Sequence, residues 1–542
     1  MRLRVAESAH LDTFARDRLP AEALLPRFAF TLPRMRYPDR INAAWYFLDR
    51  HVEEGRGDRP CAIAEDGTTY SYREMMEWAN RIARVLVEDF ALVTGNRVLL
   101  RSANTPTLLA CWFAVLKAGG IVVTTMPLYR TQELQTVSER ARVAIALCDA
   151  RLAEELERAR ASRPEMTICY WGDGSDESLE RRAAHKRPNF ENVATAAEDV
   201  ALIAFTSGTT GLPKAAMHVH RDLLATCDSF GAEVLKADPE DRFSGSPPLA
   251  FTYGLGGILL FPFAIGASTV LLERAGTEEL AAAIERHQIS VLFTAPIAYR
   301  ALTSHASKRD WSSLRICVSA GETLPGVVWE AWRAATGISI VDGIGSTEML
   351  HIFIASPADA TRAGSTGRVV PGYVAQIHDE FGNEVPAGTV GRLAVYGPTG
   401  CRYLDDERQR TYVRNGWNYP GDAYSVDGDG YFTYVARADD MIVSAGFNVS
   451  GPEVEQALLL HADVLECAVV GKPDPAHHTT MVKAFVVLRA GRNGDDACIA
   501  ELIEHCKATI APFKAPREIE IIDALPRTAT GKLQRYKLRE RS

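Results

Sequence analysis

The sequence shows few features of a secreted or metal-structured protein. Its ten cysteines stand singly, and none has the two-residue spacing of a zinc knuckle or a redox motif. Unpaired cysteines among apolar neighbours are typical of a reducing compartment. The first residues, Met-Arg-Leu-Arg-Val-Ala-Glu, lack the apolar core of a signal peptide. We therefore expect a cytoplasmic protein.

Concentrated positive charge is also missing. The formal net charge is -9, whereas nucleic-acid binding needs clustered basic groups that displace counterions. The uncharged run at residues 244–272 is long enough to span a bilayer. Pro247, Pro248 and Pro262 interrupt it, however, and no second such run exists, so we expect buried sheet and turns beside a site. Neither nucleic acid nor a membrane is an expected partner.

The whole chain of 542 residues is too long for a single hydrophobic core. Helix-like and strand-like segments alternate through its middle part. Thr277 and the two glutamates after it are typical of an N-cap and first helical turn. Another helix is predicted at 325–335, closed by Gly337. Apolar runs typical of buried strands lie at 289–296, 314–319 and 338–341. We predict an α/β fold with mainly parallel sheets flanked by helices.

The last hundred residues have a different pattern. Two β-rich runs at 464–470 and 482–488 are separated by a turn-rich segment at 472–475. An amphipathic helix at 495–510 and a strand at 518–522 follow. This pattern predicts a small α+β domain. We place the N-terminal domain at 1–436, a hinge at 437–440 and the C-terminal domain at 441–542.

Residues 206–214, Thr-Ser-Gly-Thr-Thr-Gly-Leu-Pro-Lys, directly follow the apolar run 200–205. Glycines allow close backbone approach to a polyphosphate, and exposed N–H groups form an anion nest. A Walker P-loop would require Gly-Lys-Ser/Thr. Here Pro213 precedes Lys214 and Ala215 follows it, so the loop is not of the Walker type.

This segment resembles the phosphate-binding signature of the adenylate-forming superfamily, which includes the acyl- and aryl-CoA synthetases. Further motifs of that family occur in its order, at 344–348, 416–422, 437–440 and 526–532. Residues 215–218 and 342–353 resemble those of benzoate–CoA and 2-aminobenzoate (anthranilate)–CoA ligases in particular. The resemblance covers nearly the whole chain, and it implies a C-terminal domain that is mobile.

The resemblance implies an ATP site with Mg²⁺ on Glu348, Thr347 at the α-phosphate and Asp422 on the ribose. Ile344 replaces the usual adenine-stacking tyrosine, and an aliphatic side chain can cover the same face of the ring. Lys214 and Lys532 would neutralise charge in catalysis together with Thr347 and Glu348. The other expected nucleotide-binding residues are Thr206, Ser207, Gly208, Thr209, Thr210, Gly211, Gly321, Glu322, Asp342, Gly343, Tyr434 and Arg437.

The implied reaction has two steps. A carboxylate attacks the α-phosphorus of ATP, which gives an acyl-AMP and pyrophosphate, and the thiol of coenzyme A then attacks the acyl-AMP carbonyl. Between the steps the C-terminal domain would rotate about Asp439, bringing Gly446 to the pantetheine arm. No protein nucleophile is needed, and the chain has no Gly-x-Ser-x-Gly elbow.

The resemblance places the acid pocket at Phe251, where the run 244–272 lacks the aspartate that amino-acid-activating domains carry. A small aromatic acid is expected, 2-aminobenzoate first and benzoate next. His351 could border the ring or could be a core histidine bonded to backbone. The expected pocket comprises Phe251, Thr252, Tyr253, Gly254, Gly321, Gly345 and His351.

The sequence also leaves the roles of other histidines, two rival functions and the oligomeric state to be considered. His218 and His220 are expected in helix packing or at a helix N-terminus, and His477 and His478 in a surface turn. A ligase that loads a carrier protein in trans remains open beside the CoA ligase. A nucleotide-binding scaffold without catalysis is the third hypothesis, and a homodimer is left open.

Overall fold

The computed structural model describes residues 6–206, 213–437, 442–444, 447–474, 479–510, 512–528 and 533–541. The strands in these residues are β1 (Pro60–Ile63), β2 (Thr69–Ser71), β3 (Arg97–Arg101), β4 (Ile121–Thr125), β5 (Val143–Asp149), β6 (Thr167–Trp171), β7 (Val200–Phe205), β8 (Ala215–Val219), β9 (Arg242–Gly245), β10 (Ser268–Val270), β11 (Val291–Thr294), β12 (Ile316–Ser319), β13 (Ile340–Gly345), β14 (Ile352–Ala355), β15 (Val374–His378), β16 (Gly391–Tyr396), β17 (Val413–Arg414), β18 (Trp417–Asn418), β19 (Asp422–Val426), β20 (Phe432–Arg437), β21 (Ile442–Ser444), β22 (Phe447–Val449), β23 (Val464–Asp474), β24 (Thr479–Leu488) and β25 (Glu518–Ile521).

The α-helices are α1 (Arg50–Glu53), α2 (Tyr72–Arg84), α3 (Pro106–Lys117), α4 (Thr131–Arg140), α5 (Ala153–Arg160), α6 (Leu179–Ala184), α7 (His220–Thr226), α8 (Thr252–Gly254), α9 (Phe261–Ile265), α10 (Thr277–His287), α11 (Pro296–Thr303), α12 (Gly326–Thr336), α13 (Gln409–Tyr412), α14 (Gly451–Leu459), α15 (Asp496–Thr509) and α16 (Arg535–Glu540). Short 3-10 and π-helical turns extend several of them.

Two large sheets form the centre of the N-terminal part. One has the strand order β6-β5-β3-β4-β7-β8, and the other has the order β14-β13-β12-β11-β9-β10-β1-β2. Their interior pairs are parallel, for example β3 with β4 and β11 with β12, while an antiparallel strand lies at an edge of each sheet. This confirms the predicted α/β class, because parallel neighbours need helical crossovers that cover the sheet faces.

A single apolar cluster joins these two sheets. Ten consecutive residues of α3, from Leu108 to Lys117, are buried in or against it. Lys117 is tolerated there because its ammonium group donates to Asp49 Oδ2 at 2.6 Å and to Asn192 Oδ1 at 3.3 Å. Burial lowers the pKa of Lys117, and the charge of Asp49 opposes that effect.

Three further sheets follow along the described chain, one of them the two-stranded pair of β21 and β22. Strands β15 to β20 form an antiparallel sheet with the path β17-β18-β16-β19-β20, and β15 pairs with β16. In the C-terminal part, β23, β24 and β25 form a three-stranded sheet packed against α14 and α15 around their own apolar cluster. A separate core beyond β20 is what a small α+β domain requires.

Most predicted helices and strands are confirmed within two residues. Helix α12 is closed by its C-cap Gly337, which adopts a φ of 77°, and Asp495 caps α15 through its side chain. The predicted N-cap at Thr277 is wrong by one residue, because Gly276 is the extended residue before α10 and Thr277 is already helical.

Two predicted segments differ in kind. Residues 252–265 are helical, with a π-helical stretch at Leu255–Leu260, where sheet and turns were expected. This helix is buried on nearly all sides, so no amphipathic period marks it in the sequence. The turn predicted at 472–475 is instead part of β23 as far as Asp474, because Pro473 lies on an edge strand that needs no donor there. Among the described residues, no helix has the length and apolarity required to cross a membrane.

Candidate active site

The base of the phosphate-loop segment is a β-hairpin. Strands β7 and β8 pair antiparallel, with Phe205 opposite Ala215. The Thr206 amide donates to the Lys214 carbonyl at 2.9 Å and closes the ladder beyond the last strand residues. Thr206 and Lys214 are therefore held side by side at the end of a buried hairpin. Residues 207–212, with the expected Ser207, Gly208, Thr209, Thr210 and Gly211, lie outside the described residues.

Lys214 faces two tyrosine rings. Its Nζ lies 5.2 Å from the ring centroid of Tyr403 and 5.8 Å from that of Tyr412. An ammonium group at this range is attracted by the negative faces of aromatic rings. The segment around Tyr403 is brought there by backbone pairing with β8, since Leu404 donates to the Ala215 carbonyl at 2.9 Å. Lys214 thus has a defined position while it remains half-buried.

Thr347 and Glu348 form a short 3-10 turn directly after β13. Ser346 caps this turn by accepting from the Met349 amide at 3.2 Å, and its hydroxyl lies 3.0 Å from that of Tyr412. The carbonyl of Thr347 is 2.8 Å from His218 Nε2 on β8. The turn is therefore fixed to the same hairpin that carries Lys214.

The Glu348 carboxylate is largely buried and has a strong hydrogen bond. Its Oε1 accepts from the Tyr403 hydroxyl at 2.5 Å, and the residue is only 7% exposed. Burial and the nearby charge of Glu348 raise the pKa of Tyr403, which keeps that hydroxyl protonated as a donor. Tyr403 thus contacts Glu348 through its hydroxyl and Lys214 through its ring.

A buried ionic group lies beneath this turn. Arg402 Nη1 donates to Asp222 Oδ2 at 2.5 Å, and His218 Nδ1 lies 3.7 Å from the same oxygen. Burial alone would raise the pKa of Asp222, but the charge of Arg402 and the contact with His218 bring it to about 2. The carboxylate is ionised at neutral pH, and its bond to Arg402 anchors the segment that carries Tyr403.

Sequence reasoning missed this arrangement. Tyr403, Tyr412 and Arg402 were not proposed. No spacing in the sequence identifies Arg402 and Tyr403, because their segment pairs with β8, almost two hundred residues earlier. The expectation for His220 is confirmed, since it is the first residue of α7 and accepts from the Ala43 amide at 3.1 Å. His218 lies on β8, where its Nε2 contacts Thr347, and its Nδ1 packs 3.7 Å from Asp222 of α7.

Asp342 lies on β13, five residues before Thr347. It is 8% exposed, and its Oδ1 has no hydrogen-bond partner among the described residues. Burial raises the pKa of this carboxyl well above its ordinary value. Two of its neighbours in the strand, Gly343 and Ile344, are also expected nucleotide residues, and a Cβ on Gly343 would be 2.8 Å from Ile352 Cδ1. A buried acceptor without a partner is a candidate contact for a ligand donor.

Asp422 begins β19 directly beside Arg437 on β20. Arg437 Nη1 donates to Asp422 Oδ1 at 3.3 Å and to the Pro420 carbonyl at 2.9 Å. Tyr434 faces Tyr424 across the same strand pair, with ring centroids 5.5 Å apart. Burial, followed by the charge of Asp422, raises the pKa of Tyr434. The structure therefore brings three of the expected nucleotide residues, Asp422, Tyr434 and Arg437, to one sheet end.

Gly321 and Glu322 follow β12. Gly321 has a φ of 90°, which favours glycine, and a Cβ there would meet no atom within 4 Å. The Glu322 carboxylate contacts the C-terminal part, accepting from Arg527 Nη1 at 3.1 Å and from the Leu533 amide at 3.3 Å.

The expected acid pocket has an aromatic wall. The imidazole of His351 is surrounded by rings, with its centroid 4.6 Å from that of Phe261, 5.4 Å from Phe230 and 5.8 Å from Tyr253. Its Nε2 lies 3.3 Å from the Tyr253 carbonyl, whereas Nδ1 has no hydrogen-bond partner among the described residues. Burial lowers the pKa of His351 to about 3, so the ring is neutral at pH 7.

The helix that begins at Thr252 is locked to the strand ends. The Tyr253 hydroxyl donates to the carbonyls of Thr294 and Val318, each at 3.0 Å. Phe251 is the extended residue before this helix. A Cβ on Gly254 would be 2.2 Å from the Pro248 carbonyl, and one on Gly345 would be 2.6 Å from that of His351. The expected pocket residues therefore share one tightly packed region around β11, β12 and β13.

Asp439, Gly446, His477, His478 and Lys532 lie outside the described residues. Of the expected catalytic set, Thr347, Glu348 and Lys214 are described, and all three lie around the β7–β8 hairpin.

Comparisons with known proteins agree with this geometry. Residues 48–402 match the AMP-binding enzyme family, and residues 453–532 match the AMP-binding enzyme C-terminal domain. A benzoate–CoA ligase of Thauera aromatica is 35% identical over 517 residues, which cover 94% of this chain and 98% of that protein. A p-hydroxybenzoic acid–AMP ligase of Mycobacterium tuberculosis is 32% identical, covering 92% of this chain and 69% of that protein.

Among solved structures, the anthranilate CoA ligase AuaEII in complex with anthranoyl-AMP is similar with a TM-score of 0.89 and 33% identity. The match covers 93% of this chain and 98% of that one. Family models cover well over half of the chain, and this structural match extends over nearly all of it. The chain therefore belongs to the AMP-binding enzyme family, in the group of aryl-acid–CoA ligases, and is an acid–thiol ligase.

Proposed function

We propose that this enzyme activates a small aromatic carboxylic acid with ATP and transfers the acyl group to coenzyme A. The observation that carries the proposal is the position of Lys214 and Glu348 on opposite parts of Tyr403, at the end of the β7–β8 hairpin. A magnesium-bound polyphosphate needs a cation to meet the phosphates and a carboxylate to bind the metal, and Tyr403 holds one of each.

The described residues fit a nucleotide that lies along the ends of the parallel strands, where open α/β sheets bind ligands. Asp422 would accept from the ribose hydroxyls, with Arg437 beside it, and Tyr434 would border the sugar. The Asp342 carboxyl, buried and with an unpartnered oxygen, would accept from the adenine amino group. Ile344 and Gly321 would lie against the ring faces.

Mg²⁺ suits the donor set at Glu348. Carboxylate oxygens are the hard ligands that Mg²⁺ prefers, and the Tyr403 bond fixes the orientation of this one. When bound, the ion would neutralise phosphate charge. Thr347 would donate its hydroxyl to the α-phosphate from the turn that His218 holds.

In the first step, the acid's carboxylate oxygen attacks the α-phosphorus in line and the bond to pyrophosphate breaks. Both reactants are anions, so the barrier falls when fixed positive charge meets them. Lys214 would stabilise the leaving pyrophosphate, and Lys532 would stabilise the charge that develops at the α-phosphate. Positioning two bound substrates supplies the remaining rate acceleration.

In the second step, the CoA thiolate attacks the acyl-AMP carbonyl and AMP leaves. We propose a domain boundary at 437–440, with Asp439 as the pivot, and Gly446 beside the pantetheine arm. The ten buried free thiols are in keeping with a cytoplasmic enzyme.

For the acid we propose 2-aminobenzoate first and benzoate next. Tyr253 packs against the large apolar cluster, and aromatic rings surround His351. Such apolar surroundings suit a flat ring better than a long flexible chain. The neutral imidazole of His351 carries no charge that would select for an anionic ring substituent.

The test is acid-dependent pyrophosphate release. Purified enzyme with ATP and Mg²⁺ is offered 2-aminobenzoate, benzoate, hydroxybenzoates, cinnamates and a medium-chain fatty acid. We expect the highest kcat/KM with 2-aminobenzoate and little release with the fatty acid. A fatty acid that outperforms every aromatic acid would contradict the substrate assignment. No pyrophosphate release with any of the added acids would favour a nucleotide-binding scaffold without catalysis.

A carrier protein is the second candidate acceptor, because one similar protein is named an acid–AMP ligase rather than a CoA ligase. Enzyme loaded with aryl-AMP is offered CoA in one reaction and a phosphopantetheinylated carrier protein in another. We expect rapid thioester formation with CoA. Exclusive transfer to the carrier would replace CoA as the acceptor and leave the adenylation step unchanged.

A further inference from the structure

Four side chains of alternating charge form a row at the boundary between the N-terminal and C-terminal parts. Arg300 on α11 and Glu322 after β12 belong to the first part, and Glu466 on β23 and Arg527 belong to the second. Glu466 accepts two guanidinium groups, with its Oε1 3.2 Å from Arg300 Nη2 and its Oε2 3.1 Å from Arg527 Nη2. Arg527 Nη1 in turn lies 3.1 Å from Glu322 Oε1. We call this row of four residues the interdomain clasp.

Glu322 has a special place in the clasp. Its Oε1 accepts both from Arg527 Nη1 and, at 3.3 Å, from the backbone amide of Leu533. Arg527 and Leu533 are themselves joined by an isolated antiparallel bridge. One carboxylate of the N-terminal part therefore holds both ends of the segment 527–533, and the chain between those ends includes Lys532.

The clasp is partly buried rather than freely solvated. The side chains of its four members are between 20% and 28% exposed. Arg300 also donates to the Leu465 carbonyl at 2.6 Å, which adds a backbone contact to the same boundary. Linked, partly buried charges hold a geometry better than an isolated surface pair, which contributes little.

We propose that Glu322 is a positioning residue that docks the C-terminal domain in the orientation used for adenylation. This inference rests on the proposed function, in which Lys532 acts only in the first step. By holding Arg527 and Leu533, Glu322 would set the position from which Lys532 acts in the first step. The contacts are ionic and reach solvent, so they can separate when the domain turns for the second step.

The experiment compares the two half-reactions in Glu322→Gln and Arg527→Gln. The first is measured as acid-dependent exchange of pyrophosphate into ATP, and the second as thioester formation from supplied aryl-AMP and CoA. Glu278→Gln is the matched control, because Glu278 forms an exposed ion pair with Arg309 away from the domain boundary.

We expect each of the two clasp variants to lower the exchange kcat roughly tenfold, the factor that corresponds to about 1.4 kcal/mol. The KM for ATP should stay within about twofold and the thioester step should be unchanged. Glu322 was expected at the nucleotide from the sequence, but here its carboxylate is bonded to Arg527 and Leu533 of the C-terminal part. The double variant should lose little more than either single variant, because both remove the same interaction. Glu278→Gln should match the parent enzyme in both assays.

Three results would overturn the proposal. An exchange rate that stays at the parent value would mean that the clasp does not position the segment. Equal losses in both half-reactions would point to a general structural role, and a raised KM for ATP with unchanged kcat would make Glu322 a nucleotide contact instead. If Glu322→Gln does not fold, Arg527→Gln makes the same test from the other domain. A parent enzyme without any exchange would instead refute the proposed function itself.

Discussion

Replacing Tyr403 by phenylalanine removes one oxygen from the candidate site and leaves both rings beside Lys214 in place. The lost group is the hydroxyl that donates a hydrogen bond to Glu348 Oε1 at 2.5 Å. Because Glu348 is only 7% exposed, water can replace that donor poorly. The carboxylate would then be free to rotate away from the direction in which it meets the metal.

The size of the effect follows from the charge of the acceptor. A hydrogen bond to a charged group contributes roughly 1.5–3 kcal/mol net, which corresponds to about 10- to 150-fold in rate if the whole interaction serves the transition state. We expect Tyr403→Phe to lower adenylation within this range and to raise the Mg²⁺ concentration that gives half-maximal activity. Partners that orient a metal-bound side chain typically affect metal affinity by about 10- to 100-fold.

Tyr412→Phe is the matched control. Its hydroxyl lies 3.0 Å from that of Ser346, a contact between neutral groups, and its ring also faces Lys214. A neutral hydrogen bond contributes about 0.5–1.5 kcal/mol, so the loss should be at most about tenfold. The assay is acid-dependent pyrophosphate release during a Mg²⁺ titration, with denaturant unfolding as the measure of stability. Equal losses in the two variants, or Tyr403→Phe activity within twofold of the parent, would refute the reasoning.

Three further predictions concern catalysis, pH and packing. Lys532→Ala should slow adenylation by about 100-fold or more while thioester formation from supplied acyl-AMP persists, as the two half-reaction assays would show. Burial lowers the pKa values of His220 and His351 to about 3. The unfolded chain therefore takes up more protons below pH 6.5, and the free energy of unfolding should fall from there toward pH 3 in denaturant titrations. Gly256→Ala should destabilise the fold by roughly 1–3 kcal/mol, measured by thermal unfolding, because its Cβ would lie 2.2 Å from His351 Cδ2.

The α/β class and most element positions could be predicted because their signals are local. Gly337 ends α12 with a positive φ, and Asp495 caps α15, each within a residue or two of the predicted position. The helix at 252–265 could not be predicted in this way. It is buried on nearly all faces, and a uniformly apolar segment lacks the period that separates helix from strand.

In the candidate site, too, residues in local motifs could be predicted and residues placed by long-range contacts could not. Lys214, Thr347 and Glu348 belong to contiguous motifs, and the structure brings all three together. Tyr403 was missed because its contact with Glu348 depends on strand pairing between 402–404 and β8, which no local pattern encodes. In the same way, the partners of Glu322 come from the other end of the chain.

The most direct measurement is to incubate the enzyme with ATP, Mg²⁺ and 2-aminobenzoate without CoA and to identify the bound product by mass spectrometry. We expect an aryl-AMP together with one equivalent of pyrophosphate, and its conversion to aryl-CoA and AMP when CoA is added. Cleavage of ATP to ADP, or the absence of any acyl-adenylate with every aromatic acid offered, would contradict the proposed chemistry.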